Sequence, residues 1–154
     1  MIALTVDNIK DFMRLLFKSS IFDKYGVHQA LCTTFTTFEI TGDLNREFFD
    51  ETDAPERKYC TWEEIRPFVY HVIKGSKLPK YMKVVLSAPT DMLESISDNA
   101  SALFINIIYD GGTLTLISGY AIKKFSMNKT HEFLWDEYVT DLMKKSGLSV
   151  STQT

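Results

Sequence analysis

The chain has 154 residues, 45% of them hydrophobic and 24% charged, which is enough for one compact domain and too apolar for a disordered segment. Its net charge of −3 gives no global attraction to nucleic acid or anionic membrane, so such contacts would need a local basic patch. Cys32 and Cys60 stand alone, which excludes a disulfide framework and a zinc module. No stretch reaches the roughly 20 apolar residues of a membrane helix, and MIALTVDNIK lacks a signal-peptide pattern, so a cytoplasmic protein is expected.

In chain order, Met1 to Val6 reads as a strand, and Asp7 caps a helix to about Ser19 with Ile9, Phe12, Met13 and Leu16 on one face. Gly26 opens a threonine- and aromatic-rich segment, VHQALCTTFTTFEITG, long enough for two strands with a bend. The acidic stretch Asp43 to Arg57 follows, with Arg46 to Phe49 as a short strand. Thr61-Trp62-Glu63-Glu64 has the form of a capping box, in which a hydroxyl and a carboxylate each satisfy an orphan backbone N–H. The helix it starts presents Trp62, Ile65, Phe68, Val69, Val72 and Ile73, contains Pro67, and stops at Gly75.

Tyr81 to Ala88 reads as a strand, and Pro89 starts a short helix ending near Asp98. Ala102 to Tyr109 and Thr113 to Ile122 are strands around Asp110-Gly111-Gly112. A phosphate loop would place more glycines before a helix, whereas Asp-Gly between strands suits the positive φ of a two-residue hairpin turn. Asn128 or Thr130 caps a last helix with Leu134, Trp135, Tyr138, Val139 and Leu142 on one face and Gly147 beyond its end. The final STQT is expected to fray.

Catalytic patterns fail on their mechanics. His131-Glu132 begins like a metalloprotease helix, but Trp135 stands where the second histidine belongs. Ser126-Met-Asn-Lys129 and Ser97-Asp98-Asn99 match two elements of a penicillin-binding set in reversed order, without the third. His28 and Cys32, if on one strand, stand about 13 Å apart, beyond hydrogen-bond reach. His71 lies mid-helix as an ordinary surface or boundary side chain. Asp43, Asp50, Glu51 and Asp53 read as a solvated acidic loop, without the glycine and terminal glutamate of a calcium loop. No cofactor or metal is expected.

The elements repeat in order. Residues 1–50 and 57–125 each begin with a short strand running into a helix, MIALTV-DNIKDFMRLLF and RKYC-TWEEIRPFVYHVI, and continue into strands. This order resembles one domain of the sliding DNA clamps, built from two β-α-β-β-β units. Locally, LFINIIYDGGTLTLISGYAIKKFSM (103–127) is similar to the strand-turn-strand of bacterial clamps, although only Gly119 keeps the signature that follows there. The whole chain, with its MIAL strand and HEFLWDE helix, also resembles an uncharacterised family of anaerobic Firmicutes, which implies no activity.

If the two helices lie side by side, as the clamp likeness implies, Lys10, Arg14 and Lys18 on the first and Arg66, Tyr70 and Lys74 on the second, with Lys77 beyond, form a basic binding face. Asp7, Asp11, Glu63 and Glu64 dilute it. The expectation is an α+β fold: an antiparallel clamp-like sheet from two β-α-β-β(-β) units, helices on one face, and an added helix at 129–146. Residues 1–148 form the single domain, with 149–154 as its tail. The expected function is non-enzymatic binding or scaffolding, with a protein partner or self-association ahead of nucleic acid. The alternative is a small enzyme or ligand binder with a cleft near Tyr109, Asp110 and Tyr120.

Overall fold

The structure, a computed structural model, describes residues 1–75 and 77–153. Its elements are β1 (Ala3–Val6), α1 (Ile9–Lys18), β2 (Gly26–Thr33), β3 (Thr37–Thr41), a 3-10 turn (Arg46–Phe48), α2 (Trp62–Ile73), β4 (Tyr81–Ser87), α3 (Thr90–Ile96), β5 (Ala100–Asp110), β6 (Thr113–Ile122), α4 (Thr130–Lys145) and β7 (Val150–Thr152). The strands form one seven-stranded sheet ordered β3-β2-β4-β5-β6-β1-β7. Every pairing is antiparallel, so the fold is α+β.

Alternation along the strands separates two faces. Leu4, Leu116, Ile107, Val84 and Ala30 stand in one cross-strand row, all buried. They share a single cluster with Phe12, Leu16 and Phe17 of α1, Trp62 and Val69 of α2, and Trp135, Val139 and Met143 of α4. All three helices therefore cover the same side of the sheet. The alternate strand residues, among them Leu31, Val85, Ile108 and Ile117, are half-buried and lie outside that cluster.

The two expected halves begin differently. β1 pairs with β6 and leads into α1, which Asn8 caps by accepting from Asp11 N at 3.1 Å, one residue later than expected. The expected strand at 57–60 is reduced to isolated bridges, Tyr59 with Asp43 and Thr61 with Gly26. Cys60 nevertheless bonds on both sides, accepting from Val27 N and donating to Gly42 O, each at 2.8 Å, before α2 starts. The first turns of α2 lie against the end of α1, where Trp62 Nε1 donates to Leu16 O at 2.8 Å.

The capping box forms as the sequence implies, and α2 runs through Pro67 without ending. Glu64 Oε1 accepts from Thr61 N at 2.9 Å, and Arg57 grips the same carboxylate at 2.5 and 2.9 Å. Led by the Arg57 bond, these contacts hold the Glu64 carboxyl down at about 2 against an ordinary 4.5. A depressed folded-state pKa stabilises the fold above pH 4.5, and that stabilisation drains as pH falls toward 2. Because both side chains are over a third exposed, solvent reduces the effect well below what the shift alone implies. Glu64→Gln should flatten the acid limb of a stability-versus-pH curve in this window. Parallel curves for variant and wild type would show that the pair contributes nothing.

Several expectations are corrected. Arg46 to Phe49 is no strand, because Asn45 accepts from Glu47 N at 3.2 Å and starts a 3-10 turn instead. Phe68 is 64% exposed and Leu134 44% exposed, since each lies off the narrow stripe that meets the sheet. The tail does not fray through Gln153. β1 has an open edge, and β7 pairs along it, with Gln153 N donating to Ala3 O at 2.9 Å. Thr154 lies outside the described residues. The hairpin corner is confirmed: Asp110 pairs with Thr113, and Gly111 and Gly112 turn between them at φ 57° and 85°.

Candidate functional site

Of the expected basic face, α1 supplies Lys10, Arg14 and Lys18 on its exposed side, away from Phe12 and Leu16. The structure brings Lys18 and Tyr70 together, with Nζ 4.3 Å from the ring centroid, while Phe17 packs on the same ring at 5.7 Å. Lys74 caps the end of α2, and Lys77 follows it, both exposed. Arg66 points elsewhere. It donates to Ser19 O at 2.6 Å and to Asp23 Oδ1 at 2.7 Å, closing the loop between α1 and β2. Arg14 makes a long contact with Asp11, at 3.9 Å. On its other flank, Arg14 and Lys18 border a groove against Ser146–Leu148 at the end of α4.

Along α4 the chemistry reverses. Asp136, Glu137 and Asp141 line a groove of about 650 Å³ with Phe133 and Ile2, where Lys144 and the Met1 ammonium, 3.2 Å from Asp136 Oδ2, offset part of the charge. Asp136 is oriented by Ser118 of β6, whose Oγ donates to Oδ1. Ser118 also accepts from Ile2 N at 2.9 Å, so the first strand, the sheet and α4 are tied at one point.

A second cleft of about 650 Å³ opens where the start of β2 meets residues 57–61, the start of α3 and the far end of the β5–β6 hairpin. The register of β2 slips between Val27 and Gln29, and His28 sits at that bulge. Its ring lies against Tyr59, with centroids 3.8 Å apart, and edge-on to Phe104 at 5.1 Å. Burial lowers the His28 pKa; Asp43 opposes that change and Lys58 adds to it. Lys24, Arg57 and Lys58 line the cleft, and Arg57 is already committed to Glu64 and to Tyr59 O.

This is not the cleft expected at Tyr109, Asp110 and Tyr120. Tyr109 pairs with Leu114 beside the turn, and Tyr120 pairs with Leu103 near the opposite end of the hairpin, so the three never share a pocket wall. Tyr120 instead joins a pair that sequence patterns could not connect. Ser97 Oγ lies 2.8 Å from both Tyr120 Oη and His131 Nδ1, and accepts from Asn99 N at 3.1 Å. Serine beside histidine has the atoms of a nucleophile and base, but Ser97 is 5% exposed and caps the end of α3. The triad fastens α3 and α4 to the sheet.

Cys32 is buried, its thiol pushed up to about 11, and Cys60 is half-buried and also raised by burial, so neither is an activated thiolate. Among the described residues, no three His, Cys, Asp or Glu side chains gather as a metal site, and no helix is long and apolar enough to cross a membrane.

The fold and its surfaces define an α+β domain: an antiparallel sheet with helices on one side, carrying a basic and an acidic surface on different helices. The chain belongs to the family described as "Family of unknown function (DUF5721)", whose model matches residues 14–151. No curated protein and no solved structure matches it.

Proposed function

We propose that the protein is a non-enzymatic binding module that works by self-association, the basic side of α1 and α2 on one copy meeting the acidic groove of α4 on another. The observation that carries this reading is the charge reversal between the helices. Lys10, Lys18, Lys74 and Lys77 lie exposed on or just beyond one pair, and Asp136, Glu137 and Asp141 line a groove on the other. Each surface also offers apolar contact, Tyr70 on the first and Phe133, 67% exposed, on the second. Two different patches meeting head to tail form a heterologous contact, which extends or closes into a ring.

The sliding-clamp likeness supports the same conclusion. An antiparallel sheet with helices on one face suits such a domain, and a single clamp domain must join others to encircle anything. Nucleic acid is the other polyanion that the basic surface would take. Its claim is weakened by Arg66, which is bound internally, and by Asp11 and Glu63 nearby. A cytoplasmic setting is part of the proposal and rests on the unpaired thiols.

Sedimentation velocity tests this directly. Sedimentation coefficients should rise with protein concentration at low salt and return to the monomer value near 1 M salt, where screening acts over about 3 Å. A monomer at every concentration and salt level would sink the proposal. Salt-sensitive DNA binding by that monomer would transfer the basic face to nucleic acid.

A further inference from the structure

The cleft beside His28 differs from the two grooves of the helical layer in its charge. The chain has 20 acidic and 17 basic residues, yet the cleft wall carries Lys24, Arg57 and Lys58 and no carboxylate. Two acids close by have other work: Glu64 is held by Arg57, and Asp43 acts on His28 from outside the wall. Among the described residues, Lys24 and Lys58, both exposed, have no carboxylate partner. Hydroxyls of Ser87, Thr90 and Ser101 add donors. Between these polar groups the wall is apolar, formed by Pro89, Leu93, Ala102, Phe104 and Ala121. A cation rim over an apolar wall suits a small organic anion better than a bare inorganic ion, which would leave that wall wet.

We propose that this cleft binds a small organic phosphate ester, its phosphate on Lys24 and Lys58 and its organic group against Phe104, Pro89 and Leu93. The site is independent of the self-association surfaces, which lie on other elements. Lysine suits the role as a mobile point charge, and the neighbouring hydroxyls donate to the remaining phosphate oxygens. His28 reports on occupancy. Its charged form is disfavoured by burial and by Lys58 and favoured by Asp43, while Tyr59 and Phe104 cover its ring. An anion lodged beside Lys58 stabilises the imidazolium, so binding raises the His28 pKa.

The test is NMR titration of the full chain with phenyl phosphate, inorganic phosphate and benzyl alcohol at low ionic strength. Phenyl phosphate should shift the His28, Phe104 and Thr90 resonances, raise the His28 pKa, and bind more tightly than inorganic phosphate. The Lys24→Gln/Lys58→Gln variant should lose about tenfold or more in affinity. The Lys80→Gln/Lys83→Gln variant, with the same change in net charge at the opposite end of β4, should bind like wild type. Three results would overturn the proposal: no shift in the cleft at millimolar ester, equal weakening by both variants, or equal affinity for ester and inorganic phosphate. Ala121→Leu, which narrows the apolar wall without touching charge, should weaken the ester alone; unchanged ester binding would remove the organic group from the cleft.

Discussion

Trp62→Ala is expected to lower the stability of the fold by about 3–5 kcal/mol, read from the midpoint of chemical denaturation. Trp62 is the first residue of α2 and is 0% exposed, so the whole indole leaves a cavity. The ring packs on Phe17 at 5.6 Å between centroids. Its Nε1 donates to Leu16 O, one of the carbonyls in the last turn of α1 that the helix itself cannot satisfy. Its backbone N–H donates to Tyr25 O at 2.9 Å. One residue thus joins α1, α2 and the entry to β2, the last through its backbone, which the substitution keeps. Trp62→Phe separates the contributions: it keeps most of the packing but strands Leu16 O, and should cost about 1–3 kcal/mol. A Trp62→Ala loss as small as a surface substitution would mean that the two helices do not depend on this contact.

The second large effect is at Gly42. A Cβ built there stands 1.5 Å from Val27 O and 2.5 Å from Val27 C, both backbone atoms. No rotamer change relieves such a clash, so the strand ends themselves must move. Gly42 also donates to His28 O at 3.4 Å and accepts from Cys60 N, which places it where β2, β3 and residues 59–61 converge. Gly42→Ala is expected to cost at least the upper part of the about 1–3 kcal/mol usual for overpacking. It should also displace Tyr59 from His28, visible as a changed His28 ring resonance in the folded fraction. Full stability with an unshifted His28 would contradict the close approach.

Gly42 also marks the limit of what the sequence discloses. Helices were legible because Thr61-Trp62-Glu63-Glu64 and the stripe of Phe12 and Leu16 act over one or two turns. The hairpin was legible because positive φ at Gly111 and Gly112 is a local demand. The bulge that turns His28 toward Tyr59 depends on residues over 30 positions apart, and a one-residue slip leaves no composition signal. The stripe of cations on α1 was readable, and Lys18 meets Tyr70 as helices side by side require. Arg66 was misplaced because spacing gives a direction around the helix axis, whereas its partners, Ser19 O and Asp23, come from the loop after α1. The pairing of β7 was hidden for a similar reason: a three-residue strand exists only because the edge of β1 is free. The acidic groove was the available signal that went unread, since Asp136, Glu137 and Asp141 stand within six residues of sequence.

Head-to-tail self-association requires that two variants, each lacking one of the two surfaces, complement each other when mixed. Lys18→Glu/Lys74→Glu removes the basic surface and Glu137→Lys/Asp141→Lys removes the acidic one, so neither variant should self-associate. Mixed in equal amounts at low salt, they should form a one-to-one complex by sedimentation velocity, because each supplies the surface the other has lost. Monomers in the mixture under conditions where wild type associates would contradict the account.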